Sequence, residues 1–210
     1  DYIHGHPHFG ALIGRYANRI SKGNLMIDGR RYQLPLNHGH HHLHGGNGFQ
    51  NRYWKVTPLT MQGNEALTCE YESPDGEDGY PGMVSARVTF ILSNDDEWII
   101  EYSAVTDAPT IVNLTQHNFY NLSGEGNPTI LDHELLINAD SITTVDQDLI
   151  PDGKLKNVKG TPFDFRKLTP VGARIDEDDE QLSLGKGYDH NWVLNKKNNE
   201  LSHAATLIDP

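Results

Sequence analysis

Apolar and polar residues alternate along this chain in short runs, and a turn signal closes each run. Leu25-Met26-Ile27 leads into Asp28-Gly29, and Arg31-Tyr32-Gln33-Leu34 follows. Residues 65–72 repeat the pattern, and residues 84–92 place Val84, Ala86, Val88, Phe90 and Leu92 on one face. Residues 98–105 and 135–137 continue it, and Thr110-Ile111-Val112 reads as a strand running in from Pro109. Helical periodicity is hard to find. Short strands at a spacing of about 8–12 residues, with turns between them, predict an all-β sandwich or barrel. No linker or change of composition interrupts residues 1–210, so the expectation is one domain. The acidic run at 176–180 reads as a solvated loop or helix end, because it lacks the alternating ligands and central glycine of a calcium loop.

Composition narrows the partners. The 20 Gly and 11 Pro suit a turn-rich β protein. A formal net charge of -12 argues against a nucleic-acid backbone, whose binding depends on Lys and Arg. No apolar run approaches the roughly 20 residues of a membrane helix. The lone Cys69 excludes an internal disulfide and fits a reducing compartment, so a cytoplasmic setting is expected.

Four stretches carry candidate chemistry. Asn113-Leu114-Thr115-Gln116-His117-Asn118-Phe119 places one histidine among amides and aromatics. Histidine both gives and takes a proton near neutral pH, although it also serves as a packed, hydrogen-bonded core residue. Gly14-Arg15-Tyr16-Ala17-Asn18-Arg19-Ile20 sets an Asn-Arg pair in an apolar context. A guanidinium there either pairs with a carboxylate or faces a ligand. Residues 38–44 hold five histidines, but neighbours on an extended chain point to opposite sides and do not converge on a metal. The run at 38–42 therefore reads as an incidental polar loop. His44 differs, since Gly45-Gly46 let the backbone approach closely behind it. Gly187-Tyr188-Asp189-His190-Asn191 offers a carboxylate before a strand, and strand neighbours Asp189 and His190 are not joined as a dyad. Amides, an arginine, a carboxylate, imidazoles and aromatics together suit a sugar, with hydroxyls to bond and an apolar face to stack. No cofactor or metal is called for.

These motifs, in order with Phe9-Gly10-Ala11, Leu43-His44-Gly45-Gly46 and Ser73-Pro74-Asp75-Gly76-Glu77-Asp78-Gly79-Tyr80-Pro81-Gly82, resemble the aldose 1-epimerase (galactose mutarotase) family from about Phe9 onward. The resemblance implies a large antiparallel β-sandwich, the mutarotase-like supersandwich, truncated at both ends in these residues. It implies His117 as the general acid that protonates the sugar ring oxygen. It also implies Asn18, Arg19, His44 and Asp189, with Asn118 and Phe119, as the residues that hold the monosaccharide. The implied general base, a glutamate, falls beyond the region matching Asp189 and is not among these residues. The expectation is a fragment of a longer polypeptide, with little activity alone, acting as monomer or homodimer on a small-molecule monosaccharide without a cofactor. A sugar-phosphate epimerase and a non-catalytic sugar-binding module are the alternatives. A glycosidase is disfavoured, because it needs two carboxylates flanking one bond.

Overall fold

The computed structural model describes residues 8–127, 129–198 and 200–210. They fall into two compact units, one up to Phe119 and one from Tyr120 onward. Strands dominate both, in antiparallel sheets, as the alternation predicts. Among the described residues one α-helix occurs, Glu180–Gly185.

The first unit is built on a four-stranded meander of Lys55–Met61, Asn64–Ser73, Val84–Leu92 and Trp98–Thr106. The central pairing runs unbroken from Glu65 opposite Leu92 to Ser73 opposite Val84. Val84, Ala86 and Val88 are buried, and Phe49 packs on the first two with Trp54, Tyr71 and Leu114. The expected apolar face does not run the whole strand: Thr89 and Ile91 are buried while Leu92 is 61% exposed. Period-2 geometry then means that burial passes to the opposite face near the strand's end.

Asn24–Ile27 and Arg30–Gln33 form a hairpin with Ile27 opposite Arg30. Asp28 and Gly29 both adopt positive φ, 48° and 77°, which is the mirror-image turn that Asp-Gly favours. The hairpin packs Leu25 against Leu34 and Tyr80, with Tyr16, Ile20 and Ile111 alongside. Thr110 to Val112 is not a strand; pairing begins with the bridge of Asn113 to Tyr16 and continues at Thr115–Gln116.

The histidine run is also not the incidental loop expected. His38 and His40 are exposed, but His41 and His42 are buried. The Lys22 amide donates to His41 Nδ1 at 3.2 Å. His42 bonds the Pro35 carbonyl through Nδ1 (2.7 Å) and the Tyr80 hydroxyl through Nε2 (2.6 Å). A carbonyl only accepts, so Nδ1 carries the proton and Nε2 accepts from Tyr80. Burial lowers the His42 pKa, which keeps this neutral tautomer through neutral pH.

In the second unit, Ala139–Val145 lies between Pro151–Asn157 and Trp192–Leu194. Glu134–Ile137 lies between Thr169–Pro170 and Ala205–Ile208. Ile142, Val158, Phe163 and Leu182 form its core. The acidic run ends as a helix cap: the Asp179 carboxylate accepts from the Gln181 amide at 2.8 Å and from Leu182 at 3.4 Å, and Lys156 pairs with it at 2.8 Å.

Candidate functional site

Two short ladders in the first unit gather most of the sequence-predicted residues. Leu12–Ile13 pairs with Thr115–Gln116. The ladder runs on past the strand, with the His117 amide donating to Ala11 O (3.0 Å) and the Gly10 amide to His117 O (2.8 Å). Arg19–Ile20 pairs with His42–Leu43, and the His44 amide donates to Asn18 O at 3.1 Å. One motif of each pair thus holds the other in register.

The loop behind His44 fits only without side chains. A Cβ on Gly45 would stand 1.9 Å from the Gly14 carbonyl oxygen, and φ there is +76°. Asp78 braces the same loop by accepting from the Asn47 amide at 3.0 Å while pairing with Arg52 Nη2 at 3.1 Å. Asn18 and His44 themselves hold positive φ, 68° and 52°. Non-glycine residues occupy that region sparingly, and such strain clusters at ligand sites.

The result is a cluster of imidazoles beside exposed aromatics. The His44 and His117 rings meet edge to face with centroids 5.2 Å apart. Phe119, 55% exposed, stacks on His117 at 5.1 Å and meets Phe9 edge-on at 4.7 Å. Asn118 is half-buried between them in sequence. His8, which the sequence reading did not single out, places a third ring 5.6 Å from His44 and 6.0 Å from His117. Its adjacency to Phe9-Gly10-Ala11 was the available signal. Among the described residues no three His, Cys, Asp or Glu side chains are arranged to hold a metal ion.

Hydrogen bonds orient two of these groups. The Asn18 amide donates to His44 Nδ1 at 3.0 Å, so neutral His44 carries its proton on Nε2 and presents a donor. Asn18 Oδ1 accepts from the Arg19 amide (2.8 Å) and Nη1 (3.3 Å). Arg19 Nε is buried and makes no hydrogen bond among the described residues. No carboxylate forms an ion pair with Arg19 among the described residues; its guanidinium reaches Asn18 Oδ1 alone.

Burial first, then the charges of His117, His8 and Arg19, lower the His44 pKa from 6.5 to about 4. Between those values the folded chain holds less proton than the unfolded chain, so acid favours unfolding. The His44 contribution to stability is complete above about pH 6.5 and is lost as pH falls toward 4. His44→Asn tolerates positive φ and keeps an acceptor. Urea denaturation at pH 7, 5 and 4 should show a loss on acidification on the order of 2 kcal/mol smaller in this variant than in wild type. An identical pH profile in the two proteins would refute the placement of a neutral His44.

Asp189 belongs to the second unit. It is exposed, its amide donates to Gly187 O at 3.2 Å, and it precedes the Trp192–Leu194 strand. His190 instead packs edge-on against Phe163 at 4.7 Å and bonds Gln181 Oε1 at 3.2 Å, so the two neighbours have separate surroundings.

Comparison with known proteins shows the family of the chain. The aldose 1-epimerase family profile matches residues 1–210. A galactose mutarotase of Sus scrofa is 42% identical over 197 residues, which cover 93% of this chain and 55% of that protein. The aldose 1-epimerase of Escherichia coli K12 is 39% identical over 189 residues, 90% of this chain and 53% of that protein. The crystal structure of galactose 1-epimerase from Lactobacillus acidophilus NCFM superposes with a TM-score of 0.89 at 33% identity, covering 99% of this chain and 60% of that one. The chain spans about half the length of the curated relatives it matches. It belongs to the aldose 1-epimerase family.

Proposed function

We propose that the protein of which these residues form part interconverts the α and β anomers of free aldohexoses such as D-galactose or D-glucose. The observation that carries this reading is the meeting of His44 and His117 beside Arg19, with exposed aromatic rings alongside. His117 gives a proton to the ring oxygen as the anomeric hydroxyl passes one to the general base, and both transfers reverse on closure. The ring opens, the C1–C2 bond rotates, and closure on the other face returns the proton to His117. Neutral His44 donates from Nε2 to a sugar oxygen. Arg19 supplies fixed donors, and Phe119 and Phe9 offer apolar surface to the ring. Asn118 lines this cluster, and the resemblance implies Asp189 as an acceptor for a sugar hydroxyl. The single thiol accords with a cytoplasmic enzyme.

The general base implied by the resemblance is a glutamate beyond Pro210. Polarimetry on freshly dissolved α-D-galactose therefore tests the reading at two levels. The intact protein should accelerate mutarotation. The 210 residues alone should show little or none, because one acid or base contributes on the order of 10²–10⁴-fold. Acceleration by the 210 residues equal to the intact protein would disprove the distant base. Sugar binding by the intact protein without acceleration would convert the reading to a binding module.

A further inference from the structure

The second unit carries a basic concavity that plays no part in the sugar reading. A cavity of about 550 Å³ is lined by Lys159, Asp164, Arg166, Lys167, Thr169 and Arg174. Four of these six residues are cationic, in a chain whose formal net charge is -12. That local reversal of charge calls for an explanation.

Arg166 is already neutralised. It forks onto Asp164 through Nε and Nη2, both at 2.8 Å, and reaches Asp140 through Nη1 at 3.2 Å. Those bonds hold the Asp164 carboxyl at about 2, so the pair stays closed at neutral pH. Arg174 is different. Half-buried, it donates to the carbonyls of Pro162 (3.3 Å) and Asp164 (2.5 Å) and lies 5.5 Å over the Phe165 ring. Carbonyl dipoles and a ring face orient the guanidinium without cancelling its charge. Among the described residues no carboxylate forms an ion pair with Arg174, Lys159 or Lys167.

The framework behind these cations is regular. Arg174 follows the turn Val171–Ala173, and Thr169 sits opposite Leu135 in the Thr169–Pro170 ladder while its hydroxyl donates to Lys167 O at 2.9 Å. Val158 and Thr161 close the turn that carries Lys159, with the Thr161 hydroxyl donating to Val158 O at 2.7 Å. Three cations without a carboxylate partner therefore face one cavity from three braced segments.

We propose that this cavity binds a phosphate group, as the free anion or as a phosphomonoester, with Arg174, Lys159 and Lys167 as its ligands. A planar guanidinium fork with two flanking ammonium groups matches a compact dianion. The volume lies within the roughly 300–1,000 Å³ usual for small-ligand sites, which leaves room for the substituent of an ester. The site is independent of the imidazole cluster and of the sugar reading.

The test is calorimetric titration of the intact protein with inorganic phosphate and with a hexose 1-phosphate at fixed ionic strength, with chloride and the free hexose as controls. Lys159→Gln/Lys167→Gln changes two exposed side chains, so its unliganded melting temperature should match wild type. Its affinity for the phosphate group should fall about tenfold or more. Equal binding of free anion and ester supports recognition of the phosphoryl group by itself. Binding of the ester alone, weakened in the double variant, supports recognition with the substituent inside the cavity. Binding of neither, or binding that the double variant does not weaken, overturns the proposal.

Discussion

Replacing His117 with alanine in the intact protein should lower the rate of mutarotation by about 10²–10⁴-fold, the usual contribution of one general acid or base. The loss should fall on kcat, with KM changed little, because the proton is delivered in the transition state. Folding should survive. The His117 backbone makes the ladder bonds to Ala11 and Gly10, and those bonds are indifferent to the side chain. The imidazole meets rings that are themselves partly exposed, Phe119 at 55% among them. Alanine therefore leaves no sealed core cavity. A variant that keeps native circular dichroism and full kcat would remove His117 from the proton path.

Much of this site was legible in the sequence because its residues sit in short contiguous motifs. The pairing of those motifs was not. Nothing in the local pattern says that Ala11 meets His117, or Asn18 meets His44, since each ladder is only two residues long and joins segments far apart in the chain. The fold was readable where strands are long, as at Val84–Leu92, or where the turn chemistry is decisive, as at Asp28-Gly29. It was misread where composition stood in for environment. Five histidines in seven positions look like a polar loop, yet His42 is fully buried because the Pro35 carbonyl and the Tyr80 hydroxyl satisfy both ring nitrogens. The run Thr110-Ile111-Val112 has strand composition but no partner for a ladder among the described residues, so Ile111 packs against the hairpin core instead.

Of the two arginines in Gly14-Arg15-Tyr16-Ala17-Asn18-Arg19, the one that holds the fold is Arg15, and Arg15→Met should cost about 3–5 kcal/mol in urea denaturation. Arg15 is 2% exposed. It donates to Ser73 Oγ (2.9 Å) and to the carbonyls of Ser73 (3.0 Å), Pro74 (2.7 Å), Pro81 (3.0 Å) and Gly82 (2.6 Å). Methionine fills the volume but donates nothing, and each buried acceptor left unpaired costs on the order of 1–3 kcal/mol. Glu77, which accepts from Ser73 Oγ and from Tyr71 at 2.7 Å, would lose one of two opposing charges and keep Arg52, whose Nε lies 2.9 Å away. Lysine should rescue only part of the loss, because one ammonium cannot span acceptors that the planar fork reaches together. Arg19→Met should behave oppositely. The Arg19 side chain forfeits only the exposed 3.3 Å bond of Nη1 to Asn18 Oδ1, so stability should stay within about 0.5 kcal/mol of wild type while sugar affinity falls. Equal destabilisation by the two substitutions would mean that Arg19, too, is a structural pin, and would take it out of the sugar site.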